Sequence, residues 1–324
     1  MFNLPLVTDL QSLADYTHIS PGLLYRLSKY NDKFYKIFQL PKKIGGVRTI
    51  FCPSKGMKAV QAWILRNILD KAQVAENATG FRKGMNVLDN AERHKDNRYF
   101  LCLDIEDFFP SISYAKVFTI FKSLGYNSHV SHIFSSLCTC QEKLPQGAVT
   151  SPALSNIICI RLDHRISGYV GKRNIIYTRY ADDMVFSSMS PSRLVGIIKF
   201  IVQILKDEGF ELNESKTRFL GPRRQRKVTG LIMSDNSIGV GRKKKRILRA
   251  TIHHLVSGEF VPAEREKIIS HVKGWSAYMK SVDLVGLQQL GKYCKHLEQR
   301  TPLSSLVVCV ANLLSEIGLI SNFP

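Results

Sequence analysis

Phe100-Leu101-Cys102-Leu103-Asp104-Ile105-Glu106-Asp107-Phe108-Phe109 and, much later in the chain, Tyr180-Ala181-Asp182-Asp183-Met184-Val185-Phe186 decide how this sequence reads. The first stretch sets Asp104 just beyond an apolar run; the second sets two adjacent carboxylates between two β-rich runs. Neighbouring side chains of a strand point to opposite faces, so a tight hairpin turn is the natural way to bring both acids near one site. Like charges held that close call for a cation. A hard divalent ion with oxygen ligands, Mg²⁺ above all, suits carboxylates from two strands and borrows further ligands from substrate phosphates. Two such ions roughly 4 Å apart would stabilise the attacking and the leaving oxygen of a phosphoryl transfer. Asp182-Asp183 alone would equally suit an exposed turn. The apolar runs on both sides and the preceding Tyr180 argue for a built site, whereas Asp163, Glu106 and Glu142 read as surface carboxylates.

Outward from these stretches the pattern alternates. Tyr99 to Leu103 reads as a strand, Ala115 to Cys140 as largely helical, and Ile175 to Tyr180 as a second strand; a helix follows with Leu194, Ile197, Ile198, Ile201 and Leu205 on its apolar face. Upstream, the first forty residues resemble an amphipathic helical lead-in with Leu23, Leu24 and Leu27 beside Tyr25 and Tyr30. Pro41 to Gly46 is a basic, glycine-punctuated turn into a strand at Val47 to Phe51, and residues 57 to 71 show helical spacing through Val60, Trp63, Ile64 and Ile68. After residue 220 the composition shifts: ten basic residues stand between Arg223 and Arg249 against one acid, Asp235. A charge run is usually a solvated face. Two basic clusters flanking a strand-like Val228 to Met233, ahead of a helical tail, favour a nucleic-acid contact.

The whole chain agrees. Its 324 residues carry 46 Lys plus Arg against 26 Asp plus Glu, a net charge of +20 that suits a polyanionic partner, nucleic acid ahead of an anionic membrane. With 44% apolar residues it is not a disordered basic tail, and its length predicts two or more subdomains. There is no apolar run long enough to span a bilayer and no charged signal-peptide flank, so a soluble, cytoplasmic protein is expected. Seven cysteines (Cys52, Cys102, Cys138, Cys140, Cys159, Cys294 and Cys309) show no CxxC spacing and read as reduced thiols. The phosphate loop GxxxxGK[ST], HExxH and GxSxG are absent, which removes the hydrolases and kinases that use them.

Leu144-Pro145-Gln146-Gly147-Ala148-Val149-Thr150-Ser151-Pro152 completes a set which, with the Asp104 segment and Tyr180-Ala181-Asp182-Asp183, resembles a reverse transcriptase palm in order and spacing. Asn90-Ala91-Glu92-Arg93-His94 is similar to the NAxxH signature, and Val228-Thr229-Gly230 to the VTG signature, of bacterial retron reverse transcriptases. The likeness runs over residues 40 to 300. It implies an α+β right-hand polymerase fold: N-terminal helices and fingers over 1–98, palm over 99–238 with part of the fingers within 112–160, and thumb and C-terminal helices over 239–324.

The resemblance further implies that Asp104, Asp182 and Asp183, with Ile105 beside them, hold two catalytic Mg²⁺ ions. Lys216 would be the general acid near departing pyrophosphate. Arg48, Asp107, Phe108, Phe109 and Gln146 would contact the deoxynucleoside triphosphate, with Phe109 beneath the sugar unless it is a core aromatic. RNA and DNA contacts would come from Asn90, Ala91, His94, Tyr180, Arg226, Lys227, Val228, Thr229, Gly230, Arg242, Lys243, Lys244, Lys245 and Arg246. His94 would otherwise be an ordinary satisfied histidine, and Trp275 and Tyr278 either track the hybrid or belong to a helix core. The activity implied is RNA-directed DNA synthesis from a 2′-hydroxyl of a cognate structured noncoding RNA, giving branched RNA-linked single-stranded DNA (msDNA) in anti-phage defence. An effector or toxin protein would be a partner, and a host RNase H would remove the template. Alternatives are another bacterial or a group II intron-like reverse transcriptase using a 3′-hydroxyl primer and an RNA-binding antitoxin scaffold; the intact Asp104, Asp182, Asp183 and Gln146 count against the scaffold.

Overall fold

A computed structural model of the chain describes residues 3–42, 45–234, 237–257 and 261–300; Lys43, Ile44, Asp235 and the last stretch with Cys309 lie outside the described residues. Contacts divide the chain into two units. One comprises Met1–Met85 and Arg98–Phe219, the other Asn86–Asn97 with the chain from Leu220 onward. Residues 86–97 group with elements more than a hundred positions later in the chain.

The first unit begins with helices Leu10–Thr17 and Pro21–Lys29. Asp9 and Ser12 form a capping box on the first, and Ser20 caps the second ahead of Pro21, which needs no amide partner there. The lead-in is not helical to residue 40 as expected. It turns at Tyr35 into β1 (Tyr35–Pro41), which pairs antiparallel with β2 (Val47–Pro53), and helix Lys55–Asn67 follows.

β3 (Tyr99–Asp104), β4 (Ile176–Tyr180), β5 (Asp183–Ser188) and β6 (Arg218–Leu220) form a four-stranded sheet in the order β4-β5-β3-β6. β3 and β5 are buried along most of their length, which is why both read as continuous apolar runs rather than alternating ones. Helices Ile160–Gly171 and Pro191–Asp207 cover the sheet, and Leu194, Ile197, Ile201 and Leu205 lie in its core as their spacing predicts.

In the second unit β7 (Arg226–Val228), β8 (Leu231–Ser234) and β9 (Ser237–Gly239) make a three-stranded antiparallel sheet. The expected single strand over Val228 to Met233 is a hairpin. Thr229 and Gly230 both take positive φ, 44° and 91°, the signature of a tight two-residue turn. Helix Val87–Glu92 packs on β8 and β9, and the unit continues through helices Arg242–Ser257, Pro262–Val282 and Leu284–Arg300. Among the described residues no helix is long and apolar enough to cross a membrane, and the six described cysteines are free.

Candidate active site

The register of the central sheet assembles the carboxylates. β3 and β5 run antiparallel with Asp104 directly opposite Asp183, while Tyr180 pairs with Asp183 across β4 and β5. Only Ala181 and Asp182 remain for the turn, and Ala181 takes a left-handed φ of 57°. The Ile105 amide donates to the Asp182 carbonyl at 3.0 Å, tying the turn to the end of β3. Ile105 thus contributes main chain; its side chain is buried. Just beyond, the Asn213 amide donates to the Asp104 carbonyl at 2.8 Å, and this brings Lys216 Nζ to 2.7 Å from Asp104 Oδ1.

The electrostatics follow from that crowding. Burial, then the charges of Asp182 and Asp104, push the Asp183 carboxyl up to about 6. Asp182 is raised by burial and by Asp104. For Lys216, burial acts downward, but the bond to Asp104 and the charges of Asp182 and Asp183 outweigh it and hold the ammonium above its ordinary range. Crowded carboxylates that repel one another, Asp104 buried, Asp182 half-buried and Asp183 opening to solvent, have the donor chemistry of a hard divalent cation's site. Among the described residues no three metal-ligating side chains already converge on one point, and Asp104 pairs with Lys216.

A buried charge pair supports the turn from below. Arg179, wholly inaccessible, bonds Asp163 through Nη2 to Oδ2 at 2.6 Å and Nε to Oδ1 at 2.8 Å. Its Nη1 also donates to the Ala181 carbonyl at 3.2 Å and to Asn156 Oδ1 at 3.3 Å. Burial keeps the Tyr177 hydroxyl protonated, and it donates to Asp163 Oδ1 at 2.8 Å. Asp163 is therefore not the surface carboxylate expected. Cys159, Leu162, Asp163, Ile166 and Val170 are all buried on one face of their helical stretch, so the apolar spacing around Asp163 was the available signal.

The expected nucleotide residues separate. Phe108 is buried against Phe210 at 5.9 Å. Phe109, 5.3 Å from Phe108, is half-buried, and Asp107 is exposed with a φ of 41°. The Phe51 amide donates to the Gln146 carbonyl at 2.9 Å, fixing the Pro-Gln-Gly turn against β2. Gly147 (φ 121°) has no room for a side chain there, since a Cβ would lie 2.7 Å from the Phe51 carbonyl oxygen. Buried Gln61, absent from the sequence reading, donates to Tyr35 and the Leu137 carbonyl and accepts from the Val149 amide, bracing the same turn. Exposed Arg48 lowers the Asp182 carboxyl electrostatically, so its charge reaches the acidic cluster.

In the second unit many expected nucleic-acid contacts are interior. Asn90, Ala91, His94, Arg226 and Val228 are buried and present almost no side-chain surface. Asn90 Nδ2 donates to Thr229 Oγ1 at 3.5 Å, and Thr229 Oγ1 donates to the Val87 carbonyl at 3.3 Å. Arg226 donates to the Asn97 carbonyl at 3.4 Å. These residues frame a turn whose outward parts are Lys227, Gly230 and half-buried Thr229. Burial, with the nearby Arg93 charge, lowers His94 to about 3. On helix Arg242–Ser257, Arg242, Lys243, Lys244 and Arg246 are exposed, whereas Lys245 pairs with buried Asp283 at 3.1 Å. Lys244 Nζ lies 3.8 Å from the Trp275 ring centroid; half-buried Trp275 and exposed Tyr278 are not helix core.

Residues 40–233 match the family model described as reverse transcriptase (RNA-dependent DNA polymerase). The chain is 42% identical over 299 residues to retron Ec86 reverse transcriptase of Escherichia coli, covering 92% of each chain. It is 31% identical over 313 residues to retron Mx65 reverse transcriptase of Myxococcus xanthus, covering 90% of this chain and 72% of that one. A solved telomerase from Candida albicans, in complex with a fragment of telomeric RNA, aligns with a TM-score of 0.49 at 13% identity over 89% of this chain and 64% of that one, a likeness too slight to argue from.

Proposed function

The chain belongs to the reverse transcriptase family, on its retron branch, and is an RNA-directed DNA polymerase with the right-hand polymerase fold; from that premise we propose that synthesis starts at a 2′-hydroxyl of its own structured noncoding RNA. The product is branched RNA-linked single-stranded DNA, made in the cytoplasm and used in anti-phage defence beside an effector protein, with template removal by a host RNase H. The observation that carries the catalytic part is the opposition of Asp104 and Asp183 on adjacent strands with Asp182 in the turn beside them.

The family's divalent-metal dependence fits these three carboxylates, and Asp104, Asp182 and Asp183 would hold two Mg²⁺ ions. When bound they lower the pKa of the primer hydroxyl and neutralise charge on the departing pyrophosphate. The side chains do the rest. Lys216, bonded to Asp104, would give a proton to a pyrophosphate oxygen. Half-buried Phe109 bounds the nucleotide sugar, Gln146 lines the nucleotide from a turn fixed on β2, and Arg48 supplies positive charge for the triphosphate. Thr229 and Gly230 present the turn that meets the RNA, and Arg242, Lys243, Lys244 and Arg246 follow its phosphates without reading base edges.

Purifying the protein from its natural host and sequencing the copurified nucleic acid, with and without a debranching enzyme, tests the priming proposal. One DNA species joined 2′ to 5′ to a guanosine of one noncoding RNA is the expected result. Linear complementary DNA extended from a 3′-hydroxyl would overturn the priming proposal and leave the polymerase in place.

A further inference from the structure

The segment Asn77-Ala78-Thr79-Gly80-Phe81-Arg82 has no place in the mechanism so far, yet it is bound closely to the catalytic hairpin. β4 is an edge strand, and this segment lies along it in parallel: the Arg179 amide donates to the Asn77 carbonyl at 2.7 Å and the Thr79 amide to the Arg179 carbonyl at 2.8 Å. Asn156 Nδ2 donates to the Gly80 carbonyl at 2.7 Å. A Cβ on Gly80 would lie 3.0 Å from the Ala181 amide nitrogen and 3.1 Å from Tyr180 Cγ, so this backbone rests directly on the turn that carries Asp182.

The next residue departs from that economy. Phe81 takes a left-handed φ of 60°, a strained region for a bulky side chain, and the residue is 45% exposed. A ring serving only the core would gain nothing from either. The ring lies 6.3 Å from Phe109 and 5.9 Å from Tyr180, joining the residue that bounds the sugar to the residue that opens the catalytic turn. Phe109 therefore has two aromatic neighbours: Phe108, locked in the core, and Phe81, held by strained backbone at the surface.

We propose that Phe81 is a positioning residue for sugar selection: its ring backs Phe109 and limits the space open to a 2′-hydroxyl of the incoming nucleotide. The proposal rests on the reading of Phe109 as the wall of the sugar site. Because it acts through contact between two rings, its loss weakens selection without removing it.

The experiment is single-nucleotide incorporation by the full chain on a primed RNA template, comparing kcat/KM for a deoxynucleotide and the matching ribonucleotide. Phe81→Gly relieves the left-handed backbone and removes the ring, so thermal stability is expected to stay close to that of the parent while the deoxy-over-ribo ratio falls about two- to tenfold, the scale of one aromatic pair. Phe81→Leu covers the case in which the glycine variant fails to fold and is expected to lower the ratio as well, while Phe81→Tyr restores it. Adding Phe81→Gly to Phe109→Ala is expected to change nothing further, since the two act as one unit. An unchanged ratio in folded Phe81→Gly or Phe81→Leu, with a lowered ratio in Phe109→Ala, overturns the role of Phe81 and spares that of Phe109. If Phe109→Ala also leaves the ratio unchanged, the sugar-site reading fails and the proposal fails with it.

Discussion

Two tight hairpins, one in each unit, carry the signature strings of this chain and are held in different ways. The turn between β4 and β5 consists of Ala181 and Asp182; the turn between β7 and β8 consists of Thr229 and Gly230. Both use left-handed backbone at non-glycine residues, and both rest on a segment distant in sequence. The first gathers carboxylates and stands on the fully buried Arg179–Asp163 ion pair. The second carries no carboxylate and is held by Asn90 and the Val87 carbonyl, both bonded to Thr229, with buried Arg226 on the Asn97 carbonyl beside them. The difference teaches where charge has to be managed. Arg179 can donate to the Ala181 carbonyl inside the protein because Asp163 neutralises it, which keeps a net positive charge from standing under the acidic turn.

The largest effect expected is at the tip of the first hairpin. Asp182→Asn keeps the shape and RNA binding but removes a carboxylate, and deoxynucleotide incorporation is expected to fall roughly a thousandfold, read by single-turnover extension at fixed Mg²⁺. Normal extension by this variant would leave the first hairpin with no chemical function, and the contrast with the second would lose its meaning.

Beneath the tip, the two supports are expected to differ in cost. Arg179→Met strands the Asp163 charge in the interior and should destabilise the first unit by about 3–5 kcal/mol, whereas the double replacement Arg179→Met with Asp163→Leu should recover most of that. Denaturant unfolding of the three proteins checks it. A single-variant loss below about 1 kcal/mol would mean that the pair is not the support described.

The second unit has a sensitivity of its own, to acid. His94 is folded with a pKa near 3, below its unfolded value, so the unfolded chain binds the extra proton first. Its contribution is fully present above about pH 6.5 and is lost progressively as pH falls toward 3. The protection of amides over residues 87–97 and 226–234, measured against their intrinsic exchange rates at each pH, is expected to fall across that window. His94→Gln, which takes up no proton, is expected to flatten the dependence, and an equally steep profile in that variant would assign the sensitivity elsewhere.

What was legible in the sequence had a periodic signature. The strand ending at Asp104, the hairpin at Asp182-Asp183 and the helix of Leu194 to Leu205 each follow from apolar spacing with an interruption at the right place. Exposure was not legible. The Asn90 to His94 string reads as a recognition motif, and nothing within five residues says that its side chains face inward toward a strand formed much later. Asp163 looked like surface because a carboxylate is seldom buried, although its apolar neighbours at helical spacing placed it inside; its partner Arg179 was hidden within the strand before Tyr180. Lys245 was indistinguishable from Lys243 and Lys244 until helix Leu284–Arg300 and Asp283 were in place.

That last distinction supplies the smallest effect. Lys243 is exposed and Lys245 is partly enclosed with Asp283, whose carboxylate also accepts from the Val240 and Gly286 amides. If Lys243 follows the RNA phosphates as proposed, Lys243→Ala lowers the slope of log affinity against log salt for RNA by about one, with unfolding unchanged. Lys245→Ala leaves Asp283 buried without its cation, so its effect should appear in unfolding of the second unit, with little change in the salt slope. Equal salt slopes for the two variants, both lowered, would place Lys245 on the nucleic acid and show that the ion pair opens on binding.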